Sequence, residues 1–88
     1  MEQKQKNSRK VIASLQHALD ILNLFDGSRP EMGNSEIAKA LSMDPGTAAG
    51  LIYTLKLNNY LDQNPSNRKY RLGLKLAERA AMLLNQID

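Results

Sequence analysis

The sequence predicts a small, mostly helical domain with a single two-stranded β-hairpin. Three observations predict it. Apolar residues recur at helical spacing in four segments between Ser14 and Ile87. That spacing gives way once to alternation, between Tyr60 and Leu72. The junctions hold residues whose backbone preferences start or stop helices, Asp44-Pro45, Asn59 and Gly73 among them. A face repeating every 3.6 residues suits a helix and one repeating every two suits a strand, so the period identifies the element.

With 88 residues the chain has room for one small core, and a domain of that size buries only about 60% of its extended surface. Cysteine is absent and His17 is the single histidine, which excludes a disulfide framework, a thiolate metal site and a multi-histidine site. Hydrophobic residues at 42% and charged residues at 24% are ordinary for a globular chain. No apolar run approaches the roughly 20 residues that span a bilayer. The polar, basic N-terminus lacks the apolar core of a secretory signal. The expectation is a cytoplasmic protein with no membrane partner, cofactor or metal. Asp20, Asp26 and Glu31 form no carboxylate pair, and neither a Ser/His/Asp set nor a glycine-rich phosphate loop occurs, so no enzyme is expected.

Residues 1–10 form a polar head. Lys4, Lys6, Arg9 and Lys10 against Glu2 hold the whole net charge of +3, and residues 11–88 balance. Such a segment has little to bury and reads as a flexible arm, either a solubilising tail or a tracker of phosphates. A first helix follows, with Leu15, Ala18, Leu19, Leu22 and Phe25 on one face and Ile21 widening it. Ser14 suits its N-cap and Gly27 its stop. His17 lies off that stripe and reads as solvent-exposed. Arg29-Pro30-Glu31 is a loop, and Met32 can add one short strand. A short helix over residues 34–41 starts at Gly33 with Glu36 at its third position, and turns Ile37, Ala38 and Leu41 inward. Asp44 caps a third helix over residues 45–58, where Pro45 fits the first position because that N–H has no helical partner. Its inward residues are Ala48, Leu51, Ile52 and Leu55, and Asn59 suits a left-handed stop. Residues 60–63 and 69–72 read as strands around the turn sequence Asn64-Pro65-Ser66-Asn67-Arg68. Tyr60 and Tyr70 read as core or cross-strand partners, and Met32, Met43 and Met82 as core filler. Gly73 ends the hairpin. A last helix over residues 74–87 carries Leu76, Ala80, Leu83, Leu84 and Ile87 on one stripe.

Two helices joined by a tight turn and followed by a hairpin describe a winged helix-turn-helix. The helix-turn-helix spans residues 34–58 and the wing residues 60–72, within a domain of residues 11–73. Residues 74–88 form a linker or dimerisation helix. A helix fits the major groove of B-form DNA, the preceding helix presses it in, and the wing meets the backbone or minor groove. Residues 45–58 carry a single charge, Lys56. The bareness of Gly46, Ala48, Ala49 and Gly50 suits deep approach to the groove, with alanine methyls near thymine methyls. Thr47 and Ser35 suit phosphate, and Tyr53 and Thr54 lie one turn on. Lys69 and Arg71 share a strand face opposite Tyr70, and Arg68 sits at the hairpin tip; no acid interrupts residues 64–76. The last helix docks on Leu15, Leu19 and Leu22, pairs with a second copy through Leu76, Ala80, Leu83, Leu84 and Ile87, or does both. A two-fold pair would set two recognition helices about 34 Å apart on a palindromic site.

The strings SLQHALDIL, SEIAKALSM, LIYTLKLNNYL and KYRLGLKL, in this order and spacing, resemble the N-terminal DNA-binding domain of IclR-type transcriptional regulators over residues 14–77. The resemblance implies a homodimeric regulator of operator DNA. It also implies an effector-binding domain beyond the last helix, missing here if the chain is a fragment. Three positions depart from the family pattern: Pro45-Gly46-Thr47-Ala48-Ala49-Gly50 replaces a K-S-T-V-x-R type of helix start, Ser42 stands where glycine is usual, and His17 where arginine is common. The rival reading, motivated by the nearly uncharged third helix, is a winged-helix interaction module whose DNA binding is weakened or absent.

Overall fold

The computed structural model describes residues 9–87; of the expected arm only Arg9 and Lys10, both exposed, fall within the described residues. The elements in order are α1 (Ala13–Leu22), α2 (Asn34–Ala40), α3 (Pro45–Leu57), β1 (Leu61–Gln63), β2 (Tyr70–Leu72) and α4 (Leu74–Asn85). The architecture is therefore mostly helical with one hairpin, as expected.

The α2–α3 unit follows from its caps. The Glu36 carboxylate accepts the Gly33 N–H at 2.7 Å, across the start of α2. Asp44 accepts the Thr47 N–H at 3.1 Å, and Pro45 occupies the first position of α3. Both helices end in the same way. Ser42, at φ 52°, and Asn59, at φ 66°, are left-handed. At the end of α2, Ser42 N–H bonds to Lys39 O at 3.2 Å and Met43 N–H to Ala38 O at 2.8 Å. At the end of α3, Asn59 N–H bonds to Lys56 O at 3.0 Å and Tyr60 N–H to Leu55 O at 2.9 Å. These paired bonds satisfy the last carbonyls of each helix and turn the chain sharply. Ser42 takes the left-handed position at a cost of about 1 kcal/mol relative to glycine.

One core joins the elements: Ile21, Phe25, Met32, Ile37, Ala38, Ala48, Ile52 and Leu61 are buried. Leu41, Met43, Leu51, Leu55 and Tyr70 pack around it. α3 is the central element, contacting α1, α2 and β1. The hairpin pairs Leu61 with Leu72, Asp62 with Arg71 and Gln63 with Tyr70. Met32 adds the expected third, single-residue strand, exchanging hydrogen bonds with Tyr70 at 2.9 and 2.8 Å.

Five expectations are corrected. α1 starts at Ala13 with Ile12 as its uncapped N-cap, so Ser14 lies inside the first turn. It ends at Leu22, well before Gly27. Beyond it the Asp26 carboxylate accepts the Ser28 hydroxyl at 2.7 Å and the Ser28 and Arg29 N–H groups at 2.9 and 3.0 Å, which offers the backbone a turn in place of helix. The buried face of α1 is also rotated. Ile21 is fully buried and His17 half-buried, whereas Leu15 and Leu19 are 60% and 46% exposed. Last, α4 does not dock on α1. Its first turn is tied to the α3–β1 corner, Gly73 N–H bonding to Tyr60 O at 2.9 Å and Lys75 N–H to Asn59 O at 3.0 Å. None of its residues is buried, and Met82 is exposed rather than core filler.

Candidate nucleic-acid interface

The buried side of α3 is made by Ala48 and Ile52, with Leu51 and Leu55 beside them. The helical period therefore turns Gly46, Thr47, Ala49, Gly50, Tyr53 and Thr54 outward, and all six are exposed. Ala48, read from the sequence both as an inward residue and as a groove residue, is fully buried against the core, so the inward reading holds and the groove role is corrected. Around Gly50 the space is open, with no atom beyond its own stretch of helix within 4 Å of where a Cβ would stand. The Thr54 hydroxyl donates to the Gly50 carbonyl at 2.8 Å, which keeps it against the helix. Tyr53, 64% exposed, projects from the face instead of covering the core.

Sequence reasoning missed Leu57. It is 66% exposed and continues the line of Gly46, Gly50 and Tyr53 to the end of α3. The same spacing extended by one turn would have found it. Ser35 is exposed in the first turn of α2. Its neighbour Asn34 reaches the Pro45 carbonyl at 3.5 Å, so the starts of α2 and α3 lie together.

The wing is held by acids. Arg71 Nε and Nη2 each lie 2.9 Å from Asp62 Oδ2 across the hairpin, and Nη1 lies 3.4 Å from Glu31 Oε2. Lys69 makes a single looser contact, 3.5 Å to Glu36. Arg68 is left-handed at φ 64°, and its amide bonds to Asn64 O at 2.7 Å. Its guanidinium is exposed and makes no ion pair among the described residues. Lys69 and Arg71, the two cations expected to face DNA together, thus both lie beside carboxylates.

Glu31, which showed no role in the sequence, organises this region. Its two oxygens accept the Asn67 amide at 2.9 Å and the Asn64 amide at 3.0 Å, from opposite ends of the turn. Beside it, Met32 pairs with Tyr70, so body and wing are joined by backbone and side chain at adjacent positions. The Asn67 hydrogen bond above all, then that of Asn64 and the Arg71 charge, hold the Glu31 carboxyl below its ordinary value of 4.5. A carboxyl lowered on folding stabilises the fold above its unfolded-state value, and that contribution disappears as pH falls through the folded-state value. Acidification below about pH 4.5 is therefore expected to loosen the wing. Glu31→Gln should have a lower urea midpoint than the parent at about pH 6, and the gap should narrow as the pH is taken below that ordinary value. A gap that does not shrink in acid would remove Glu31 from this role.

Among the described residues no His/Cys/Asp/Glu cluster could hold a metal, and no helix is long and apolar enough to cross a membrane.

The sequence matches the model of the IclR helix-turn-helix domain over residues 14–65. It is 42% identical over 78 residues to the HTH-type transcriptional regulator XynR of Escherichia coli, covering 89% of this chain and 31% of that protein. It is 35% identical over 65 residues to the glycerol operon regulatory protein of Streptomyces griseus, covering 74% of this chain and 26% of that protein. Both relatives are regulators rather than enzymes. Among solved structures, a putative IclR transcriptional regulator from Silicibacter sp. TM1040 superposes with a TM-score of 0.76 at 29% identity, over 78% of this chain and 27% of that one. The chain thus spans less than a third of the length of each of these proteins.

Proposed function

The chain belongs to the IclR helix-turn-helix family, and from that premise we propose that it binds double-stranded operator DNA sequence-specifically, as the reading domain of a cytoplasmic transcription regulator. α3 lies in the major groove and the wing follows the backbone or minor groove. The observation that carries this reading is the outward, unobstructed leading end of α3, where Gly46, Thr47, Ala49 and Gly50 are exposed. A helix of about 10–12 Å diameter with such an end can seat deeply between the phosphate rails. Ser35 and Thr47 serve the phosphates beside it.

In the wing the cations divide by their partners. Arg71, held by two carboxylates, sets the shape of the hairpin. Arg68, without an acid among the described residues, and Lys69, with one long exposed contact, meet phosphate. Exposed ion pairs of the Lys69 kind are worth only about 0–1 kcal/mol and exchange readily. Mobility shifts on random duplex across a salt series test this. Binding should fall steeply with salt. Arg68→Ala should flatten the logarithmic slope by about 1, because one phosphate fewer is neutralised and its counterion stays on the DNA. An unchanged slope would take the wing tip out of the interface.

The same reading includes a homodimer. Leu83 and Leu84 of α4, and Ile87 two residues beyond the end of that helix, which stops at Asn85 rather than at the expected residue 87, are exposed at 59%, 64% and 61%, with Ala80 on the same side and Leu76 half-buried nearer the body. A second copy would cover this stripe, and an effector-binding domain would follow α4 in the whole regulator. The alternative, an interaction module without DNA binding, is favoured by the single charge on α3. Absence of binding to any duplex at low salt would select it.

A further inference from the structure

The exposed face of α3 has an unusual chemical inventory. Residues 45–52 contain no Arg, Lys, Asn, Gln, Asp or Glu. The carboxylate just before them, on Asp44, is engaged by the Thr47 N–H. Beyond them the face continues as Tyr53 and Leu57, both about two-thirds exposed. With Ala48 turned into the core, the leading end offers the methyl groups of Thr47 and Ala49, one hydroxyl, and the bare backbone of Gly46 and Gly50.

Each base pair shows a different pattern in the major groove, and the long polar side chains that read donors and acceptors are missing here. One base carries an apolar group on that edge, thymine with its C5 methyl. We infer that the start of α3 selects its site through thymine methyl groups, packed against Ala49, the Thr47 methyl and the glycine backbone. Gly46 and Gly50 bring the helix axis close enough for that contact. This rests on the DNA-binding reading above and names what that surface reads.

Gly50 separates this function from folding. A Cβ there meets nothing within 4 Å beyond its own stretch of helix, and glycine is among the poorest helix formers. Gly50→Leu should therefore fold with an equal or higher thermal midpoint, yet stand between the helix and the bases.

The experiment uses the 88-residue chain to select duplexes from a random pool, with footprinting to locate the half-site. Each thymine in it is then replaced in turn by deoxyuridine, which lacks only the methyl. The expected result is a half-site containing thymine under α3, an affinity loss of about fourfold for each contacted methyl removed, and a loss of about tenfold or more for Gly50→Leu on the same duplex. Half-sites without thymine, indifference to deoxyuridine at every position, or full binding by Gly50→Leu would overturn methyl readout while leaving DNA binding in place. Retention of no duplex at all would overturn both.

Discussion

Gly73→Ala is expected to cost about 3 kcal/mol or more, the upper end of what forced overpacking costs, and so a large part of the stability of a domain this small. The backbone at Gly73 is ordinary, with φ −95°. Space is the constraint. A Cβ there would fall inside contact distance of the Asn59 carbonyl oxygen, and 2.9 Å from both the Asn59 carbonyl carbon and the Leu61 amide nitrogen. All of these are backbone atoms, so no side chain can rotate away. They belong to the corner where α3 hands over to β1, the corner to which the Gly73 and Lys75 amides bond. Adding one methyl must push the start of α4 away from that corner and break both bonds. Urea unfolding of Gly73→Ala beside Gly27→Ala checks this, because a Cβ at Gly27 meets nothing within 4 Å. The expected outcome is a marked loss for the first and about 0.5 kcal/mol or less for the second. Equal midpoints would show that the corner yields, and would end the steric argument.

The second large effect falls on binding. Leu83→Asp combined with Leu84→Asp should leave the fold intact, because neither side chain is used by the core. It should also abolish pairing of two chains and weaken binding to a palindromic duplex by about 100-fold or more, the range that effective concentration supplies to a linked second domain. Pairing through an apolar stripe fails when carboxylates must be desolvated in it. Sedimentation of parent and variant, together with mobility shifts on the same duplex, checks both halves. A parent that is monomeric at concentrations saturating the DNA would exclude α4 as the dimer surface.

α1 illustrates how far patterning carries. Its helical period was legible, and so were the apolar positions. Which of them go inside was not, because the helix is apolar on two sides. Leu15 and Leu19 form one stripe, and Ala18 with Ile21 the other, which Phe25 continues just beyond the helix. Both satisfy a helical period, and packing against α3 selected the second. α4 poses the same difficulty more strongly. An amphipathic pattern says that a face is meant to be covered, but not that the cover comes from the same chain. α3 escaped this ambiguity, because Ala48, Leu51, Ile52 and Leu55 leave a single apolar face at the core and the opposite side is bare. Ala48 reads as belonging to both surfaces, because by size alone it fits either.

Local chemistry was therefore readable from neighbouring residues. The Asp44-Pro45 start, the Glu36 return bond to Gly33, the left-handed Asn59 and the hairpin turn each depend on groups a few positions apart, whose geometry follows from covalent connectivity and helical rise. The wing clamp and the crowding at Gly73 depend on atoms that only folding brings together. Glu31 meets Arg71 across forty positions of chain, and Gly73 meets Asn59 across a whole hairpin. Hydrophobic period and backbone preference act over one or two turns, so they dictate which helices and strands form. Orientation, contact and burial between those elements are settled by how their surfaces fit once they meet, and no short-range pattern encodes that fit.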